Sequence, residues 1–244
     1  MTQHGCTENM LEIKGLMAGY GKLTVLHDIN LTVQKGSLTA IVGPNGAGKT
    51  TLMNSILHVN QIMKGEILYN GKTISAMEPH EIAAMGIGYV PQARNVFPGM
   101  TVEENLDMGT YLSDPHADTK KMIEAIYTAF PRLKERKKQK ASTLSGGERQ
   151  MLALGSVLLL KPELLILDEP ITGLAPQIVT ELIESIMQIK EQGTTLLWVV
   201  EENPMQILPL SDIVYVMDGG TIKTKKTGME FVGAPDFMEM FLGN

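Results

Sequence analysis

A single cysteine, Cys6, stands in the 244-residue chain, so no internal disulfide forms and no metal is held by a cysteine cluster; a reducing compartment suits such a chain. Excess positive charge is also missing. The 21 Lys and Arg against 27 Asp and Glu leave a formal net charge of -6, which excludes a general nucleic-acid binder, because neutralising phosphates takes clustered basic residues. The most apolar stretch, Met151 to Leu160, stops at Lys161-Pro162, well short of the roughly 20 residues that a membrane-spanning helix needs. Residues Met1 to Glu8 are polar and lack an apolar h-region, so no secretory signal is expected. Internal repeats and low-complexity tracts are absent as well. What remains is a chain long enough to bury one substantial core, as a single α/β domain. Its 17 methionines read as adaptable core packing. One local exception to the charge balance is the segment holding Arg132, Lys134, Arg136, Lys137, Lys138 and Lys140. It reads as a solvated helix end, with contact to anionic lipid headgroups as its other use.

The apolar run Leu38, Ala40, Ile41, Val42 leads into Gly43-Pro44-Asn45-Gly46-Ala47-Gly48-Lys49-Thr50-Thr51, a complete G-x-x-x-x-G-K-[ST] loop. A glycine-rich loop wraps an anion with its backbone N–H groups, and the helix that follows begins with unpaired donors and a positive dipole end. This is the pattern of a nucleoside triphosphate site, with Lys49 on the β- and γ-phosphates and the Thr50 hydroxyl on Mg²⁺. A second element, Leu164-Leu165-Ile166-Leu167-Asp168-Glu169, reads as a strand buried on both faces and ending in two acids, where parallel α/β sheets bind ligands. Asp168 is expected to hold Mg²⁺ and Glu169 to act as general base on the attacking water.

Between them, Leu144-Ser145-Gly146-Gly147-Glu148 opens a helix carrying Met151, Leu152, Leu154, Leu158 and Leu159. Ser145 and Glu148 have the spacing of a capping box. The two glycines inside the cap leave bare N–H groups at a helix start, a second phosphate site. Two such sites in one chain suggest ATP held between two chains, each giving its P-loop to one nucleotide and its Ser-Gly-Gly turn to the other.

With this Leu-Ser-Gly-Gly-Glu string the sequence resembles the ATP-binding cassette family, over nearly its whole length. The resemblance implies that Tyr20, in Ala18-Gly19-Tyr20-Gly21, stacks on adenine, and that Gln92, in Tyr89-Val90-Pro91-Gln92, ligates Mg²⁺ and senses a transmembrane partner. It implies that Ser145, Gly146, Gly147 and Glu148 bind ATP in trans. Thr172-Gly173-Leu174-Ala175-Pro176 stands where most cassettes have a Ser-Ala-Leu-Asp loop; it is similar to the subgroup that energises branched-chain amino-acid import, as are Met100 to Leu106, Phe130-Pro131-Arg132-Leu133 and Val200-Glu201-Glu202-Asn203. One departure concerns mechanism. Where most cassettes place a histidine that bridges the γ-phosphate and the catalytic glutamate, this chain has Glu202, a repulsive placement beside a triphosphate. By strand alternation, Glu202 facing the nucleotide turns Glu201 away.

The expected fold is α/β: a P-loop NTPase core with a mixed, mostly parallel sheet, an antiparallel β edge sheet and a helical signature subdomain. Leu11 to Tyr20 and Leu26 to Gln34 read as edge strands, and Glu66 to Ile74 as a hairpin around Asn70-Gly71. Met122, Ile123, Ile126, Tyr127 and Phe130 make one helical face, ended by Pro131; Pro176 opens a helix with Ile178, Val179, Leu182, Ile183 and Ile186 inward. Residues 10–91 and 161–227 are expected to form the nucleotide-binding core, 92–160 the helical subdomain and 228–244 a C-terminal helix, with no room for a further β-domain. The expected activity is that of an ATP-hydrolysing subunit, with ATP and Mg²⁺, energising an importer from the inner face of the cell membrane. Its partners would be transmembrane permease subunits, a second ABC ATPase subunit in a heterodimer or homodimer, and indirectly a substrate-binding protein. A slow or non-hydrolytic ATP-gated regulator, and an importer subunit for urea or other small amides, stay open as alternatives.

Overall fold

In the computed structural model, residues 8–93, 95–111 and 116–233 are described. They fall into two compact units, Met1–Met85 with Thr194–Asn244, and Gly86–Gly193.

In the first unit, β1 (Asn9–Tyr20) and β2 (Leu23–Gln34) pair antiparallel, and β1 pairs on its other edge with β4 (Gln61–Tyr69), which pairs with β5 (Lys72–Thr73). The β4–β5 turn is Asn70-Gly71, with φ of 47° and 75°, the two left-handed positions that a type I′ hairpin demands. A second sheet is mixed and mostly parallel: β3 (Leu38–Val42) lies between β8 (Thr195–Val200) and β9 (Ile213–Asp218), parallel to both, and β10 (Thr221–Lys226) closes the edge antiparallel to β9. Every residue of β3 and β8 is buried, as expected for parallel strands covered on both faces. The two sheets are tied by the Tyr215 hydroxyl, which accepts from the Thr32 N–H at 3.0 Å and donates to the Thr32 carbonyl at 3.1 Å. Helices α1 (Lys49–Ile56) and α2 (Pro79–Ala84) also belong here. The last helix, α8, spans Gly228–Val232; the expected continuation over 234–244 lies outside the described residues.

The second unit holds a parallel pair, β6 (Ile87–Val90) and β7 (Leu164–Asp168), with helices α3 (Val102–Gly109), α4 (Thr119–Ala129), α5 (Pro131–Glu135), α6 (Gly146–Leu158) and α7 (Pro176–Glu191). The α4 face is buried at Ile123, Ile126, Tyr127 and at Phe130 just beyond, and Pro131 starts α5 where its missing N–H costs nothing. Helix α6 passes close to its neighbours because Gly155 has no side chain: a Cβ there would sit 2.7 Å from Ile126 Cγ2. On α7, Val179, Leu182 and Ile186 are buried while Ile178 and Ile183 are half-buried, so the inward stripe is narrower than its five apolar positions suggest. No helix among the described residues is long and apolar enough to cross a membrane.

Candidate functional site

Strand β3 ends at Val42 and the chain turns at once into the glycine-rich loop. Gly43 is pressed against the Met217 carbonyl, where a Cβ would collide, whereas nothing lies within 4 Å of the position a Cβ would take on Gly46, at φ 78°. The loop is therefore backed by β9 on one side and open at Gly46. Its floor is pinned by the Gly220 N–H, which donates to the Ala47 carbonyl at 3.0 Å. Among the described residues, the Ala47 N–H is the one loop donor spent, on the Pro44 carbonyl at 3.1 Å; the other donors, with those of the first turn of α1, are placed to make an anion cradle. Helix α1 has a left-handed Gly48 (φ 99°) as its N-cap, no side-chain cap and no acid in its first turn, so nothing of its own competes with an anion there. Lys49 is buried, and Thr50 is exposed, with no hydrogen bond from its hydroxyl to the described residues. Tyr20, at the end of β1, is 48% exposed, enough to leave a ring face for stacking. Its hydroxyl accepts from Asn54 Nδ2 at 2.9 Å, which tethers it to α1.

The two glutamates after β8 are not arranged as alternation predicts. The strand stops at Val200, both residues lie in a bend, and Asn203 follows at φ 51°, so the pleat does not continue through them. Glu201 is the one that turns to the P-loop: its Oε2 is 3.1 Å from Lys49 Nζ. Glu202 is exposed. The expectation that alternation turns Glu201 away is corrected on this point.

In the second unit, Asp168 and Glu169 stand at the C-terminal end of β7, both buried. Asp168 accepts from the Tyr89 hydroxyl at 3.1 Å. Glu169 adopts φ 49°, a strained conformation for a non-glycine residue and one that recurs at functional sites. Its Oε2 accepts from Gln92 Nε2 at 2.9 Å and from the Thr172 hydroxyl at 3.2 Å. The register explains the first contact: Val90 lies opposite Leu167, so Gln92 falls level with Glu169. With its Nε2 engaged, Gln92 retains Oε1 for a cation. No cluster of three or more carboxylate, histidine or cysteine side chains exists among the described residues. The donor set is one that suits Mg²⁺, which keeps waters and arrives with phosphates rather than in a dedicated cage. Sequence reasoning missed Tyr89 and Thr172 as partners of the two acids. Thr172 carries a weak signal, three residues past Glu169.

At the signature, Ser145 is the N-cap of α6. Its hydroxyl accepts from the Glu148 N–H at 3.3 Å, and Glu148 Oε2 accepts from the Ser145 N–H at 2.8 Å. Arg136 reaches Glu148 Oε1 at 2.5 Å, and Arg149 donates to the Leu144 carbonyl at 2.6 Å. Burial pushes the Glu148 carboxyl up, but the Ser145 donors and the Arg136 guanidinium outweigh it and hold the group below its ordinary value. A carboxylate lowered in this way stabilises the fold above its unfolded value of about 4.5 and loses that contribution as pH falls through the lowered one. Ser145→Ala is expected to cost about 1 kcal/mol, read as a lower urea midpoint at neutral pH, with a smaller loss of stability on acidification than the wild type shows. Gly147 is required by packing, since a Cβ would collide with Ile178 Cγ2. In the basic segment Arg132 pairs with Glu181, Lys134 with Glu124 and Arg136 with Glu148, so half of that cluster braces the surrounding helices. The next motif, Met100 to Leu106, is also structural: Thr101 and Glu104 form a capping box on α3, and buried Asn105 holds the Phe97 N–H and carbonyl.

The model of the family described as ABC transporter matches residues 26–172, more than half of the chain. The chain is 41% identical over 234 residues to the high-affinity branched-chain amino acid transport ATP-binding protein BraG of Pseudomonas aeruginosa, covering 96% of this chain and 100% of that protein. It is 38% identical over 234 residues to the probable branched-chain amino acid transport ATP-binding protein LivF of Archaeoglobus fulgidus, covering 96% and 99%. Among solved structures, a nucleotide-free ATP-binding cassette from an ABC transporter superposes with a TM-score of 0.83 at 26% identity, covering 97% of this chain and all of that one. The ADP conformation of another such cassette gives 0.83 at 27% identity, covering 98% and 100%. The chain belongs to the ABC transporter family, as an ATP-binding and ATP-hydrolysing subunit.

Proposed function

We propose that this subunit energises the import of branched-chain amino acids, working on the inner face of the cell membrane with transmembrane permease subunits, a second ABC ATPase subunit and, indirectly, a substrate-binding protein. The observation that carries the reading is the full-length 41% identity to BraG, reinforced by the Thr172 to Pro176 loop. In this account the loop from Gly43 to Thr51 wraps the phosphates, Lys49 meets the β- and γ-phosphates and Tyr20 stacks on adenine. Thr50, Gln92 and Asp168 would hold Mg²⁺, which supplies neutralisation of the phosphate oxygens when bound. Glu169 takes the proton of the attacking water, with its carboxylate aimed by Gln92 and Thr172. Ser145, Gly146, Gly147 and Glu148, on the helical subdomain of residues 92–160, serve the nucleotide of the partner ATPase subunit. Loss of the γ-phosphate then reopens the pair, a switch of order keyed to one phosphate.

The test is reconstitution of the purified subunit with its copurifying permease and ATPase partners in vesicles. Phosphate release should rise severalfold when a binding protein loaded with leucine, isoleucine or valine is added. Stimulation by urea or small amides in place of these amino acids would overturn the substrate assignment while leaving the ATPase reading intact.

A further inference from the structure

The P-loop lysine already has a counter-ion. Lys49 Nζ carries three N–H donors, and all three are engaged inside the first unit: with the Gly43 carbonyl at 2.7 Å, the Pro44 carbonyl at 3.0 Å and Glu201 Oε2 at 3.1 Å. The side chain of Lys49 is 4% exposed and that of Glu201 19%, so the pair is largely shielded from water, where electrostatic contacts are strongest. Its geometry follows from the sheet. Strand β8 runs parallel to β3 with Val200 level with Val42, so the residues that leave the two strands, Glu201 and Gly43, emerge side by side at the same end. Glu201 is thus delivered to the mouth of the phosphate loop by strand register.

We propose that Glu201 is an internal competitor for the phosphate site, a carboxylate that neutralises Lys49 in the nucleotide-free protein and that the incoming phosphates must displace. The two carbonyl acceptors belong to the loop backbone and stay where they are. Glu201 is the one partner on a side chain and the one with net charge, and its side chain is 19% exposed. Binding is then an exchange of one anion for another at the same ammonium. An exchange of this kind lowers affinity, because the charge-assisted bond gained with phosphate is offset by the one lost to the carboxylate. Once displaced, the carboxylate still carries its charge close to a polyanion. A vacant Lys49 would attract any free phosphate, whereas a paired one yields only to a ligand that offers several phosphate oxygens together with the loop N–H contacts. Glu201 therefore adds selectivity for di- and triphosphates over single anions.

This inference rests on the assignment of the P-loop as the ATP site, and the experiment separates the two. Titration calorimetry of the full-length wild type, Glu201→Gln and Glu201→Asp with the non-hydrolysable analogue Mg-AMP-PNP, with Mg-ADP and with inorganic phosphate reads the competition directly. Glu201→Gln should bind AMP-PNP at least tenfold more tightly, equivalent to about 1.4 kcal/mol, gain less for ADP, and acquire measurable affinity for inorganic phosphate. Glu201→Asp retains the charge and should stay nearer the wild type than the Gln variant does. Thermal melts give a second readout: Glu201→Gln should melt lower than the wild type without nucleotide, and the order should reverse at saturating AMP-PNP. Equal or weaker nucleotide affinity in Glu201→Gln overturns the proposal while the ATP site stands. Failure of both wild type and Glu201→Gln to bind either nucleotide overturns the ATP assignment and this inference with it.

Discussion

Replacing Glu169 by Gln should lower ATP hydrolysis by about 10²- to 10⁴-fold, the usual contribution of a positioned general base, while leaving ATP binding within a few-fold of wild type. The amide keeps the shape of the side chain and still accepts a hydrogen bond through its oxygen, so the contacts that Gln92 and Thr172 make with Oε2 have a counterpart. What it lacks is basicity toward water. Phosphate release and nucleotide binding measured on the same preparation separate the two effects. A parallel loss of binding would mean that Glu169 shapes the site rather than the chemistry. The left-handed backbone at Glu169 sharpens the expectation, because a strained residue at the end of a buried strand is kept only where its side chain must aim in one direction.

Lys49→Ala should weaken Mg-ATP binding by about a hundredfold or more. Hydrogen bonds to charged groups contribute about 1.5–3 kcal/mol each, and the ammonium is the one cation within the loop Gly43 to Thr51. The substitution does more than remove an attraction. It leaves Glu201 without its counter-ion, an uncompensated carboxylate that repels the incoming phosphates. The fold should survive, because the Glu201 side chain is 19% exposed and can return to water. Equilibrium titration with circular dichroism as a folding control checks both statements. Combining Lys49→Ala with Glu201→Gln should recover part of the lost affinity, since the second change removes the orphaned charge.

The parts of this site that were legible in the sequence are those governed by chemistry within a few residues. The capping box of Ser145 and Glu148 is a three-residue relation, and it is present. The Asn70-Gly71 turn follows from the two left-handed positions that a tight hairpin needs. The buried strands β3 and β7 are continuous apolar runs bounded by turn signals, and the loop after β3 is a complete motif. What was not legible depends on register between segments far apart in the chain. Nothing near Gln92 announces that the β6–β7 pairing sets it level with Glu169, or that the Tyr89 hydroxyl reaches Asp168. The same reason lies behind the Glu201 correction. Alternation along a strand is a sound rule, but it ends with the strand, and β8 stops at Val200, one residue too early for the rule to rank Glu201 against Glu202. Which of the two approaches Lys49 is decided by the parallel alignment of β8 with β3 and by the bend that follows. The adjacent pair offers no local cue.

We propose that the ATP site is completed by the signature turn of a second ATPase subunit. Its most direct test is the mass of the Glu169→Gln protein by light scattering, with and without saturating Mg-ATP, alone and together with the ATPase subunit that copurifies with it. The expected result is an ATP-dependent association to a dimer, either alone or with that partner subunit, abolished when Ser145→Arg is added to the same chain, because the new side chain fills the cradle formed by the first N–H groups of α6. No ATP-dependent association in either condition, or a dimer that Ser145→Arg leaves unchanged, would contradict it.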